Sequence, residues 1–226
     1  MKVFKKKDCF FLEDFFAGAF IAGFTGKKIK GKLPDDIAKV LSVLRCGGEA
    51  SYMKQIHSSI VYEVSKPGIY EGDALFTKDK NHPLIVKTAD CLPLIFVSEK
   101  AGVAGVVHMG WRSAREGILD NIPYDLAAFK VVAGVGLRKC CYRVGEEFLT
   151  YRGFDDFLTK ENDCIYFDPI GFARSRLMRR GVKGGNFCDI GLCSFCDRRG
   201  FPSHRRDATK NRTLTFLACA YNSQDK

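Results

Sequence analysis

Residues 85–119, "IVKTADCLPLIFVSEKAGVAGVVHMGWRSAREGIL", hold two strongly apolar segments, a cysteine, a histidine and a change of periodicity. "HPLIVKTADCLPLIFVS" (82–98) and "GVAGVVHMG" (102–110) are rich in β-branched residues and bounded by Gly, Pro and Asp, so both read as strands. From Trp111 the pattern turns helical through about Asn121. Strands that give way to a helix in this manner predict a mixed α/β domain, with a central mixed sheet flanked by helices.

The same alternation continues on both sides. Upstream, "ASYMKQIHSSIVYEV" (50–64) and "EGDALFTKD" (71–79) read as further strands. Ile37, Val40, Leu41 and Leu44, after Pro34-Asp35-Asp36, have the i, i+3, i+4, i+7 spacing of one amphipathic helix ending near Gly47-Gly48. The N-terminus is expected to form a hairpin that turns near "TGKKIKGK" (25–32). Downstream, "FKVVAGVGL" (129–137) returns to strand and "VGEEFLTYR" (144–152) is a short helix. Asp168-Pro169 starts another helix, the Asp as its cap and the Pro in its first turn, and "RTLTFLACAY" (212–221) is a final buried strand. No repeat, low-complexity tract or linker interrupts the chain, so residues 1–226 are expected to form one domain.

Composition narrows the function classes. No uninterrupted run of 18 apolar residues appears, which argues against a membrane helix. Asp8, Glu13 and Asp14 break the apolar stretch that follows the basic start, so the N-terminus reads as strands and not as a secretion signal. Ten cysteines in a chain of this kind point to a reducing cytoplasm. The net charge of +10 raises the question of nucleic acid, but the basic residues are dispersed and no recognition helix or aromatic-basic motif appears. A cationic site for anionic small substrates fits better than a specific nucleic-acid interface.

Chemistry concentrates on His57, Cys91 and His108. Two neutral imidazoles and one thiolate suit Zn²⁺, with copper chemically possible, and three protein ligands leave a position open for water or substrate. From residue types alone, a buried structural cysteine with two hydrogen-bonded core histidines stands beside that metal site. Asp73 and Asp90 are candidates to orient a ligating imidazole or carry a proton. Arg112, Arg205 and Arg206 are candidates to hold phosphate, for which the planar guanidinium is suited. Cys188, Cys193 and Cys196 with His204 form a second possible constellation, alongside Cys140-Cys141.

"KQIHSS", "EGDALFT", "TADCLPLIF", "VVHMGWRSAREGIL", "AGVGLRKCCYRVGEEF" and "CSFCDRRGFPSHRRD" occur in an order and spacing that resemble the laccase-domain family. That family is also called multicopper polyphenol oxidase or peptidoglycan editing factor, and the likeness spans roughly residues 50 to 220. The resemblance implies a mononuclear zinc site made by His57, Cys91 and His108. It also implies phosphorolysis of adenosine, inosine and methylthioadenosine, and deamination of adenosine; the chain itself is expected to be a monomer or homodimer. Asp73 and Arg112 would join the three ligands as catalytic residues, and Arg205, Arg206 and Asp90 would bind substrate.

The chain also departs from the family. The segment "GFTGKKIKGKLPDD" (23–36) replaces a longer Gly- and Asn-rich loop. Ala208-Thr209-Lys210-Asn211-Arg212 stands where Gly-x-Thr-Gly-Arg is usual, and Asn211 is the residue able to take a left-handed conformation there. Met109 and Ser113 replace smaller residues beside His108, which predicts a narrower pocket. Two other functions compete. One is a hydrolase or amidase with Cys91 as a nucleophile activated by His108; the other is a non-catalytic quality-control protein that binds cell-wall precursors.

Overall fold

The structure is a computed structural model and describes residues 2–13, 15–16, 20–30, 34–44 and 49–219. The chain opens with strands β1 (Lys2–Lys6), β2 (Cys9–Glu13) and β3 (Phe20–Thr25), followed by helix α1 (Asp35–Leu44). Next come β4 (Ser51–Lys54), β5 (Val61–Glu63), β6 (Ile69–Glu71), β7 (Ala74–Thr77), β8 (Leu84–Thr88), β9 (Leu92–Ser98) and β10 (Val103–Met109). Helix α2 (Trp111–Arg115) precedes β11 (Lys130–Ala133), β12 (Arg143–Val144), β13 (Leu158–Glu161) and β14 (Cys164–Phe167). The last elements are α3 (Pro169–Arg179), β15 (Phe187–Asp189), α4 (His204–Asp207) and β16 (Thr213–Cys219).

The mixed α/β architecture is the expected one, but its strands are shared among several sheets and not gathered into one. A seven-stranded sheet runs β1-β2-β3-β16-β8-β4-β6, a six-stranded sheet runs β15-β11-β9-β10-β7-β5, and β12-β14-β13 form a small third sheet. Alternation along β8 and β9 explains the layering. Ile85 meets α1 through Ile37 and Val40, while Leu84 and Val86 face Ile95 and Val97 of the six-stranded sheet. Leu94 and Phe96, on the other face of β9, pack with Phe172 and Leu177 of α3 and Phe167 of β14. Strands buried on both faces read as unbroken apolar runs, which is why 92–98 and 103–109 stood out in the sequence. At Gly105 a Cβ would come within 2.3 Å of the Phe76 ring, so the glycine lets that ring lie against the β10 backbone.

Three local expectations change. The first hairpin turns at Lys7-Asp8, both in the left-handed region, and 25–30 instead closes the end of β3 through the Asp8 carboxylate, which accepts from Lys28 N–H at 2.7 Å. The helix from Trp111 stops after one turn, because the chain reaches a positive φ of 82° at Gly117. The expected end of α1 at Gly47-Gly48 lies outside the described residues. Asp168 caps α3 as the sequence predicts, accepting from Ile170 and Gly171 N–H, with Pro169 in the first turn; such a cap stabilises by about 1 kcal/mol. No helix among the described residues is long and apolar enough to cross a membrane.

Candidate functional site

The sheets bring four sequence-remote positions to one rim. Antiparallel pairing of β7 with β10 sets Val107 opposite Ala74 and therefore His108 beside Asp73. His57 lies in the turn after β4, and Cys91 in the connection between β8 and β9. The ligand atoms of His57, Cys91 and His108 all lie within 4.8 Å of one another. Cys91 Sγ is 3.7 Å from His57 Nε2, and the two imidazole rings are 4.9 Å apart at 69°.

Asp73 organises this group. It is fully buried, and its Oδ1 accepts from His108 Nδ1 at 2.7 Å and from His57 N–H at 3.1 Å. Its Oδ2 accepts from Ser58 N–H at 2.6 Å, Ser58 Oγ at 2.8 Å and Ile56 N–H at 3.3 Å. These backbone bonds hold His57 at a positive φ of 60°, a conformation that costs energy for a side-chain-bearing residue. A proton on His108 Nδ1, as that bond requires, leaves Nε2 free to act as a ligand. Burial alone would raise the Asp73 pKa, but the bonds from His108 and Ser58 hold it below the usual carboxylate range.

Burial also works against a charge on Cys91, yet the two facing imidazoles hold the thiol down at about 6. Burial would lower His108, whereas Cys91 and Asp73 raise it to about 9. Cys91 and His108 thus shift one another, the thiol downward and the imidazole upward. A soft thiolate and two imidazoles with free ring nitrogens, this close together, fit a divalent metal ion and leave one side open to the cleft.

Gly110 completes the cradle. A Cβ there would stand 2.8 Å from His57 Cδ2 and 3.1 Å from Cys91 Sγ. Gly110→Ala is expected to push both ligands apart and lower metal affinity by about tenfold at nearly unchanged melting temperature, measured by chelator competition.

A cleft of about 790 Å³ opens over these residues. Its lining contains Lys54, Lys87, Arg112, Arg205, Lys210 and Arg212, with Asp90 as the acidic member and Leu137 and Tyr142 supplying apolar surface. Arg112 lies over the Trp111 ring at 4.3 Å, and Arg205 over Tyr142 at 5.1 Å. Lys87 is half-buried, and burial followed by the nearby Arg212 lowers its pKa. Lys54, Lys87, Lys210, Arg212 and Tyr142 escaped the sequence reading. Arg212 sat in a motif quoted there, and Gln55 beside His57 marks the strand that presents Lys54.

The structure gives several named residues other work. Asp90 has no hydrogen bond to an imidazole; it accepts from Ser194 Oγ at 2.8 Å, Ser203 Oγ at 2.7 Å and Arg205 N–H at 2.7 Å, which pins Asp90 itself, next to Cys91, at a φ of 95°. Arg206 is outside the cleft lining, and its guanidinium donates to Asp207 and to the carbonyls of Ser194, Phe195 and Phe201. Arg206→Ala is therefore expected to destabilise the fold by about 2–3 kcal/mol in denaturant titration. Met109 points into the core, and buried Ser113 bonds to Gly110 and the His108 carbonyl, so neither narrows the cleft. The left-handed residue after α4 is Ala208, with φ 49°, and not Asn211. His204 lines the cleft, and Cys188 packs at the edge of the core between the two large sheets, so neither joins Cys193 and Cys196.

Comparison with known proteins gives the family and the fold. A purine nucleoside phosphorylase of Aquifex aeolicus is 35% identical over 159 residues, which cover 67% of this chain and 72% of that protein. A purine nucleoside phosphorylase of Clostridium acetobutylicum is 34% identical over 185 residues, covering 75% and 76%. The crystal structure of YlmD from Geobacillus stearothermophilus shares the fold, with a TM-score of 0.87 at 21% identity over 96% of this chain and 98% of its own. The family model described as multi-copper polyphenol oxidoreductase laccase matches residues 33–220, and the chain belongs to that family.

Proposed function

We propose that this protein is a zinc-dependent purine nucleoside enzyme, a single domain over residues 1–226, that cleaves adenosine, inosine and methylthioadenosine with phosphate and deaminates adenosine. The observation that carries the proposal is the open His57–Cys91–His108 group at the floor of a cleft rich in cations. The names of the relatives from Aquifex and Clostridium support the purine nucleoside as substrate. One thiolate and two imidazoles suit zinc and leave an open position for water or substrate, and the same donors also accept copper.

In phosphorolysis a phosphate oxygen forms a bond to the anomeric carbon while the bond from that carbon to the purine nitrogen breaks, giving a sugar phosphate and a protonated base. Lys87, Arg112, Arg205 and Arg212 line the cleft, and their charge would offset the approach of an anionic phosphate. Tyr142 and Leu137 offer apolar faces against which a purine can lie. In deamination, water adds to the carbon that carries the amine and ammonia leaves. When bound, the metal supplies Lewis-acid activation of the water and of substrate oxygen. Asp73 keeps His108 in one tautomer and fixes the His57 turn, so the ligands need no rearrangement before the metal enters.

Purified protein incubated with adenosine and phosphate is expected to release adenine and inosine, resolved by chromatography; production of neither would defeat the proposal. Lys87→Ala is expected to raise the KM for phosphate by about tenfold or more and to leave that for the nucleoside nearly unchanged, as loss of one charge-assisted contact implies. The low thiol pKa of Cys91 also favours a second reading, a cysteine nucleophile paired with His108. Full activity in protein stripped of metal would select that reading.

A further inference from the structure

Cys193-Ser-Phe-Cys196 has the two-residue spacing of half a thiolate metal site, and the fold delivers the other half from a remote turn. The sulfurs of Cys140, Cys141, Cys193 and Cys196 all lie within 4.8 Å of one another, and those of Cys140 and Cys196 are 3.9 Å apart. A tetrahedral zinc with bonds of about 2.3 Å sets its sulfurs about 3.8 Å from each other. The observed spacing is that of sulfurs around a common centre.

We propose that these four cysteines form a second metal site, a closed structural tetrathiolate zinc centre that ties the 138–142 turn to the 193–206 segment. The backbone assembles it: Gly136 pairs with Cys193 in a parallel bridge, and Ser194 N–H donates to the Gly136 carbonyl at 3.0 Å. Cys141 N–H closes its own turn on the Arg138 carbonyl at 2.9 Å. Four thiolates on one zinc carry net negative charge, and two guanidiniums stand beside them. Arg206 bonds to the Ser194 and Phe195 carbonyls inside the Cys193–Cys196 loop, and buried Arg138 bonds to the Gly136 carbonyl. With all four positions filled by protein, the site has no room for substrate, which makes it a staple. Both segments that it joins line the cleft, one through Tyr142 and the other through Arg205, and Ser194 and Ser203 hold Asp90. The inference does not depend on the nucleoside chemistry.

Native mass spectrometry of the full chain, purified in reductant, is expected to show about two zinc ions, and about one in Cys91→Ala. In the Cys91→Ala background, cobalt(II) is expected to give the intense sulfur-to-cobalt charge-transfer absorption of a four-thiolate tetrahedron. In Cys91→Ala combined with Cys196→Ser that absorption should fall to a three-thiolate level or vanish with the cobalt, and Cys196→His should bind cobalt with a three-thiolate spectrum. If the wild-type chain carries a single zinc that disappears with Cys91→Ala, the second site does not exist. Retention of the four-thiolate spectrum after Cys196→Ser would equally overturn the assignment, as would peptide mapping that finds these cysteines joined as disulfides in protein isolated without added oxidant.

Discussion

Cys91→Ala is expected to remove nucleoside turnover by at least about a thousandfold while leaving the fold intact. The thiolate is the charged member of the three-ligand group, and without it two imidazoles face an open cleft. Loss of a catalytic metal forfeits several kcal/mol of transition-state stabilisation, and each 1.4 kcal/mol is about a factor of ten. Cys91 sits in a connection between strands, so its truncation leaves the apolar layers untouched. The far-ultraviolet circular dichroism spectrum of the variant should superimpose on that of the wild type. Wild-type turnover in Cys91→Ala would mean that this residue neither binds the metal nor attacks substrate.

Asp73→Asn is expected to damage both stability and metal binding, which separates it from Cys91→Ala. One carboxylate accepts from His108, three successive backbone N–H groups and Ser58 Oγ. An amide cannot replace it, because its NH₂ would confront N–H donors on whichever side it is placed. Leaving buried donors without an acceptor costs about 1–3 kcal/mol for each, and losing the partner of a ligating histidine costs about ten- to a hundredfold in metal affinity. A fall in stability of several kcal/mol, read by denaturant titration, should accompany the weakened zinc affinity. The pH dependence has a definite sign. The Asp73 pKa is held below its unfolded value, so its contribution is present above the unfolded pKa and fades as pH falls through the folded one. An unchanged acid-unfolding profile in Asp73→Asn would contradict this role.

Much of the architecture was legible because apolar segments bounded by Gly, Pro and Asp mark strands directly, and Asp168-Pro169 marks a helix start. The helix from Trp111 was over-read: Ala114 and Ile118 keep a helical spacing and are both buried, but Gly117 turns the chain out of the helix between them. One central sheet was expected where two large sheets face each other, since alternation along a strand shows which faces are buried and not which sheet the strand joins. At the site, residue types and the family resemblance named the three candidate ligands and Asp73. Strand register, 74 against 107, is what sets Asp73 beside His108, and no local pattern carries it. The structural bonds of Arg206 were not legible because its partners are mostly backbone carbonyls, which are anonymous in a sequence. Cys140-Cys141 and Cys193-Cys196 were each visible, but the bridge between Gly136 and Cys193 that unites them is a long-range contact.

The central claim is that His57, Cys91 and His108 together hold one catalytic metal. The most direct measurement is an anomalous difference map, collected across the zinc absorption edge, from crystals of protein purified without added chelator. The account expects a peak within bonding distance, about 2.0–2.3 Å, of one ring nitrogen from each histidine and of Cys91 Sγ, with the fourth position facing the cleft. A map with no peak there in crystals of active protein would contradict it.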